Sequence, residues 1–501
     1  MNIQTWPVQA ISDTHIFPST PPSLNDGGVR QCVRVAKGER RAVSFCVWSE
    51  EPLDKLTVRG EWIAVDSGEI YRDVMPSIDI RYAMVWWQAG VSTVWTPKPI
   101  LQSELLVKDP RFVVPSSTVG VNEYPTDQVD AEVLQPIDLP ANHTQQYWID
   151  IVVPSNCTHG DYQFSLALSV GGEIVERVTV EINVLPFTLP ASDMIYSMFY
   201  RAHLDPNVAP KLQQHVKSKR DYFADLKNMK AHGITQPSIY EFIDSPYFED
   251  AIKLRRLAGV CVDPLFHSRL DVGLNFGVTD LQTREIEFLK AKLKCEKLGI
   301  KQIYGYATDE AHGKKVNEQF PYWSLASKYD VGILATTYWP HIHDLHERAD
   351  GRIDIAVINQ GYPQKAGLPE IIASWRNMGV DVWRYEISSS QLPDRVRRRS
   401  GLELVDSGFS GCCNYAYQTP DGPDIWTDED GGGDGRDCCY TYPGGGGPID
   451  TRHYEGLAAG VVDTQYVTLL KLLGGSVPSL DGELDNVRAE MQSEIMHRLY
   501  F

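Results

Sequence analysis

At 501 residues the chain exceeds the length at which a single hydrophobic core keeps growing, so at least two folded units are expected. Apolar residues at 43% and charged residues at 23% exclude a disordered or fibrous chain. The 66 acidic residues against 47 basic ones leave a formal charge of −19, a field that repels phosphate backbones and speaks against a nucleic-acid partner.

The opening stretch MNIQTWPVQAISDTHIFPST has neither a basic leader nor a continuous apolar run, so no secretory signal peptide is read there and a cytoplasmic setting is the default expectation. No segment approaches the roughly 20 apolar residues that cross a bilayer, and no membrane partner is expected. From residue 1 to about 190 the chain carries short alternating runs: RAVSFCVWSE, DKLTVRGEWIAV, QYWIDIVVPS, DYQFSLALSV and EIVERVTVEINVLPF. Such runs are half-buried antiparallel strands, and turn signals between Asn156 and Gly160 and at Gly171-Gly172 make the pattern that of a β-sandwich. Leu185 to Pro190, with two prolines, ends the last strand and sets the first boundary.

Beyond it strand and helix patterns alternate, which predicts a parallel sheet covered by helices. Eight strands are read, at 194–200, 235–240, 270–277, 301–310, 331–338, 353–360, 381–388 and 411–418. Helical patterns such as TREIEFLKAKLKCEKLG and LPEIIASWRNMG stand between them, each stopped by glycine. The expected architecture is a β-sandwich (1–190) followed by a (β/α)8 TIM-type barrel (191–475) and a helical extension (476–501), with an open doubly wound sheet as the alternative to the barrel. The nine cysteines show no CxxC spacing and are expected as buried free thiols or an ordinary disulfide; no metal site and no cofactor are expected. The glycine runs at 431–433 and 444–447 lack a following Lys or helix start and are read as loop rather than phosphate cradle.

In such a barrel the chemistry sits at the carboxyl ends of the strands. Those ends supply Tyr200-Arg201 with His203, Asp309-Glu310 with His312, Tyr338-Trp339, Asn359-Gln360, Tyr385-Glu386, and Tyr415 with Tyr417. Glycoside hydrolysis needs a proton donor for the leaving oxygen and a second group that stabilises or captures the sugar cation. Asp309 and Glu310 can supply both only where the strand ends, because within a strand neighbours face opposite sides. Trp339, Trp383 and Tyr417 are candidates to stack on a sugar, and Arg201, His203, Tyr338 and Asn359 to bind it. An oligosaccharide or glycoconjugate is therefore the expected partner.

Three stretches in the region 145–475 resemble glycoside hydrolase family 123 and its broader relatives that share the uncharacterised family 4091 carboxyl-terminal module. They are the passage from QYWIDIVVP through HGDYQFSLAL to VTVEINVLPFTLP, the strand QIYGYATDE, and YPGGGGPIDTRHYEGLAAGVVDTQYVTLL with its Gly460, Asp463 and Tyr466 pattern. The resemblance implies a retaining β-N-acetylhexosaminidase in which the sugar's acetamido oxygen is the nucleophile, Glu310 the general acid/base, Asp309 the group orienting the acetamido, and Tyr385 a completing hydroxyl. Packing of the last helix is the expected role of Gly460, Asp463 and Tyr466. Glu386 departs from the family pattern and opens an alternative, with Glu310 as acid/base and Glu386 as nucleophile about 5 Å away on a sugar without an acetamido group. A non-catalytic carbohydrate-binding or particle-surface protein is the remaining alternative.

Overall fold

Alternate side chains of the strand Glu173–Thr188 are buried, Val178, Val180, Ile182 and Val184 among them, as its period-two pattern demands. The structure is a computed structural model describing residues 2–23, 29–63, 74–88, 99–277, 279–359, 367–387, 391–420, 422, 424–427, 438–479 and 482–500. Gln360 and the glycine run 431–433 lie outside these residues.

The chain divides into two compact units: residues 1–192, 390–401 and 441–501 form one, and 193–389 with 402–440 the other. In the first unit one five-stranded sheet runs Arg30–Lys37, Glu173–Thr188, Gly160–Val170, Leu53–Ile63 and Ile137–Leu139. A seven-stranded sheet runs Ile3–Val8, Arg40–Ser49, His143–Val152, Ser77–Gln88, Ile100–Val107, Pro448–Thr451 and Thr441–Pro443. Every pair is antiparallel except Arg30–Lys37 with Glu173–Thr188. The last strand ends at Thr188, within the segment 185–190 expected to end it, and Pro186 falls in a register shift between Val184 and Thr188 where no ladder bond is required of it.

Residues 441–475, assigned to the barrel by sequence order, group instead with this first unit. The cause is strand pairing: Asp450 and Thr451 sit opposite Leu106 and Leu105, and the helix Arg452–Leu472 follows directly. Gly444 to Gly447 form the turn of the hairpin whose last strand feeds that helix. Asp463 is fully buried and accepts hydrogen bonds from Arg397 Nε (2.8 Å) and Arg488 Nε (2.7 Å), while the Tyr466 hydroxyl donates to Glu39. A Cβ on Gly460 would stand 2.6 Å from the Arg397 carbonyl oxygen, so only glycine lets the helices Arg452–Leu472 and Pro393–Ser400 approach. The Gly460, Asp463 and Tyr466 pattern thus holds helices together.

The second unit contains a parallel seven-stranded sheet ordered Ile195–Met198, Gly411–Asn414, Asp381–Arg384, Ile355–Asn359, Val331–Tyr338, Ile303–Tyr306 and Leu265–Asp271. The segment 235–240, read as a strand, makes one isolated bridge, Ile239 with His267. Its backbone nevertheless bonds to both edges of the sheet, with Ser238 N–H to Met198 O at 2.9 Å and Ile239 N–H to Phe266 O at 2.8 Å. The sheet therefore curls until this segment spans its edges. Helices Lys219–Ala231, Phe248–Ala258, Leu281–Lys297, Phe320–Lys328, Ile342–Ala349 and Leu368–Asn377 fall between successive strands. Inside, Phe199, Phe266, Leu334, Val357, Trp383, Tyr385 and Cys413 form one cluster.

The third strand is Leu265–Asp271 rather than 270–277. Phe266 belongs to the interior cluster, whereas the chain after Asp271 turns around that carboxylate, which accepts from Gly273 N–H (2.8 Å) and Phe276 N–H (3.3 Å). All nine cysteines are free thiols, six of them buried.

Candidate active site at the carboxyl ends of the parallel strands

The strand Ile303–Tyr306 stops three residues short of Asp309, and Glu310 takes the left-handed conformation with φ +47°. Few side chains other than glycine adopt that conformation, and it ends the alternation that would keep neighbouring side chains apart. Fixed donors hold both residues. The Glu310 N–H donates to Thr336 Oγ1 at 3.1 Å, and Asp309 N–H donates to Asn275 Oδ1 at 2.8 Å. Asp309 Oδ1 accepts from the Tyr306 hydroxyl (2.6 Å) and from Thr336 Oγ1 (2.8 Å). Its other oxygen is left to accept a further donor.

The Glu310 carboxyl is half-buried and accepts a hydrogen bond from the Tyr385 hydroxyl. Burial pushes its pKa up, the charge of Asp309 adds to that, and the Tyr385 hydrogen bond works against it. Burial and then the charge of Glu310 raise the Tyr385 phenol, which stays a donor, and Asn359 bonds to it as well. Glu310, Asp309, Tyr385 and Asn359 are thus brought together.

Glu386 is not among them. Trp383 and Tyr385 point into the interior cluster, so Arg384 and Glu386 take the opposite face. There Glu386 Oε1 accepts from Arg384 Nη2 at 2.8 Å, and Arg384 also reaches Glu403 at 3.2 Å. Tyr417 is fully buried and donates to Asn228 Oδ1 at 3.1 Å on the helix Lys219–Ala231, so its ring packs beneath the helix layer instead of lining the mouth. Trp383 is also fully buried, edge-on to Phe266 with centroids 4.8 Å apart, and floors the interior. Tyr338 and Trp339 remain partly exposed at the end of Val331–Tyr338. Their rings lie edge-on to His341 and His343. His312 stacks on His341 with centroids 4.0 Å apart.

Arg201 lies partly buried past the first strand, its Nη1 donating to the Tyr415 hydroxyl at 3.0 Å and its guanidinium 5.8 Å from the Tyr240 ring centroid. His203 is fully buried against Phe242, and burial, helped by Arg269 and Arg201, lowers it to about 4, so the imidazole is neutral near pH 7. Five residues of this region were not singled out in the sequence: Tyr306, Thr336, Asn275, Tyr240 and Arg269. Asn275 and Arg269 were hidden by the displaced third strand. Tyr306 carried a signal, since it stands three residues before Asp309 at a strand end.

No protein-family model and no curated protein sequence matches the chain. Among solved structures, a family 123 glycoside hydrolase from Clostridium perfringens superposes with a TM-score of 0.68 at 11% identity, covering 99% of each chain. A GH5 xyloglucanase from Bacteroides ovatus gives a TM-score of 0.33 at 8% identity over 86% of this chain and 98% of that one. A GH2 beta-galacturonidase from Eisenbergiella tayi gives 0.34 at 10% identity over 84% and 69%. Only the first is close enough to carry an argument, and at its identity the likeness is one of fold.

Proposed function

We propose that the second unit is a (β/α)8 barrel, the first chiefly a β-sandwich, and the protein a retaining β-N-acetylhexosaminidase-like glycoside hydrolase. The observation that carries this reading is Glu310: a half-buried carboxyl with a raised pKa, beside a second carboxylate and under a phenol donor. A general acid working near neutrality needs that environment. The full-length likeness of fold to a family 123 glycoside hydrolase is consistent with it.

In this mechanism the acetamido oxygen of the bound sugar attacks the anomeric carbon, and the glycosidic C–O bond breaks. Glu310 gives its proton to the departing oxygen. The free oxygen of Asp309 accepts the acetamido N–H and stabilises the positive charge of the cyclic oxazolinium. Water then attacks the anomeric carbon from the vacated face and gives its proton to Glu310, which opens the ring with retention. Tyr306, Thr336 and Asn275 fix Asp309 before substrate arrives, so little reorganisation is needed when charge develops. The ion pair of Glu386 with Arg384 favours this reading over the two-carboxylate alternative.

The test is hydrolysis of aryl 2-acetamido-2-deoxy-β-glycosides with the product anomer followed by NMR, together with inhibition by an acetamido-thiazoline. Retention and competitive inhibition are expected. Covalent labelling of Glu386 by a 2-deoxy-2-fluoro glycoside, with turnover of sugars lacking the acetamido group, would overturn the proposal.

A further inference from the structure

The mouth next to Asp309 holds two arginines that make no ion pair among the described residues, in a protein of formal charge −19. Arg201 follows the strand Ile195–Met198, and Arg269 lies in Leu265–Asp271. The segment ending at Tyr240 runs between those two strands. Phe199 stands between Tyr415 and Tyr306, 5.6 and 5.9 Å from their ring centroids; Tyr415 accepts from Arg201 and Tyr306 donates to Asp309, which ties Arg201 to the acid pair, while the charge of Arg269 acts on Arg201 and the Tyr240 phenol.

The Arg269 guanidinium is held by its faces. Arg269 is sandwiched between Phe242 and Phe276, 4.7 and 3.9 Å from the two centroids, and His203 stacks on Phe242, 5.4 Å from it, to complete a layered wall. Stacking occupies the flat faces of a guanidinium and leaves its in-plane N–H donors unspent. Arg269 Nε is buried and has no hydrogen-bond partner. Asp271, the nearby carboxylate, is bound by Arg284 instead. Arg201 donates once, to Tyr415, and keeps its other N–H groups. A partly buried cation without a carboxylate partner leaves its charge to be met by a ligand, and both arginines stand in an aromatic setting.

We infer that Arg201 and Arg269 form a subsite for an anionic substituent, a carboxylate or sulfate ester, on the glycan bound at Asp309-Glu310. The planar fork of arginine matches the two oxygens of either group. The inference rests on the glycosidase reading for its sugar and extends it to an acidic substrate class; the neutral His203 lines the wall without adding charge.

Calorimetric titration at low ionic strength tests this without turnover, using N-acetylglucosamine 6-sulfate against N-acetylglucosamine, and glucuronate against glucose. At least one acidic sugar should bind roughly tenfold or more tightly than its neutral parent, and which one does identifies sulfate or carboxylate. That ratio should fall towards one in Arg201→Gln and in Arg269→Gln, stay intermediate in Arg269→Lys, and shrink with added salt. Should Arg269→Gln fail to fold, Arg201→Gln, outside the Phe242–Phe276 stack, decides. Equal binding of acidic and neutral sugars by the unmodified protein, or a preference that survives both glutamine substitutions, overturns the inference. Hydrolysis of neutral hexosaminides with no acidic preference would remove this subsite and leave the enzyme reading standing. Arginine-dependent binding of acidic sugars with no hydrolysis of any glycoside would do the reverse.

Discussion

Removing the Tyr385 hydroxyl tests how the site sets its acid. That hydroxyl donates to Glu310 Oε1, which favours the ionised carboxylate against burial and the charge of Asp309. A hydrogen bond to a charged group contributes about 1.5–3 kcal/mol, so its complete loss is large enough to displace the titration of Glu310 measurably. Glu310 is half-buried and water partly replaces the lost donor, which reduces the displacement without changing its sign. The sign is fixed: without the donor the carboxyl holds its proton more tightly, so its pKa rises. The basic limb of kcat/KM, where the acid loses its proton, therefore moves to higher pH in Tyr385→Phe. In Asp309→Asn the opposite happens, because the charge that raises Glu310 is gone, and the limb moves to lower pH. Stopped assays with an aryl hexosaminide between about pH 4 and about pH 9 would resolve both. Shifts of the two variants in the same direction, or no shift in either, would refute the coupling of Tyr385, Glu310 and Asp309.

Glu310→Gln should retain the wild-type circular dichroism and lose roughly 10²- to 10⁴-fold in kcat on glycosides with poor leaving groups, but much less on activated aryl glycosides; equal losses on both would exclude a general-acid role. Glu386→Gln should keep most activity while lowering stability by about 1–3 kcal/mol, because it weakens a partner of the buried Arg384; thermal melts and kinetics on one preparation check this, and a loss of turnover comparable to Asp309→Asn would restore Glu386 to the chemistry. Asp463→Ala leaves Arg397 and Arg488 without their shared buried carboxylate and should cost about 3–5 kcal/mol, read as a drop in denaturation midpoint, whereas a midpoint within error of wild type would remove Asp463 from the packing of the last helices.

Period and punctuation made the fold legible where side chains alternate cleanly. Val178 to Val184 read as a strand and are one, and Leu281–Lys297 falls where glycine-stopped helical periodicity put it. The third parallel strand did not read correctly, because VGLNFG looks as strand-like as LFHSRLD. What separates them is tertiary: Phe266 has an interior cluster to enter, while the residues after Asp271 have a carboxylate to turn around. The grouping of 441–475 with the first unit was equally hidden, since the pairing of Asp450 with Leu106 joins residues far apart in sequence, and no local pattern records it.

At the site, position along a strand was legible and the direction of a side chain was not. Strand-end reasoning brought out Asp309, Glu310, Tyr385 and Asn359, but it treated Tyr385 and Glu386 alike, and Tyr415 and Tyr417 alike, although each pair divides between the two faces. For the first pair the divider is tertiary: Trp383 and Tyr385, two residues apart, both enter the interior cluster, so Arg384 and Glu386 share the other direction. The Asp309-Glu310 pair escapes that rule only because Glu310 adopts φ +47°, and a local Ala-Thr-Asp-Glu-Ala sequence gives no reason for it. The reason is supplied by Thr336, one strand away, whose hydroxyl oxygen accepts the Glu310 N–H while its own proton goes to Asp309. One threonine thus fixes the turn and one of the two carboxylates it displays, which is why the acid pair depends on strands that sequence proximity does not connect.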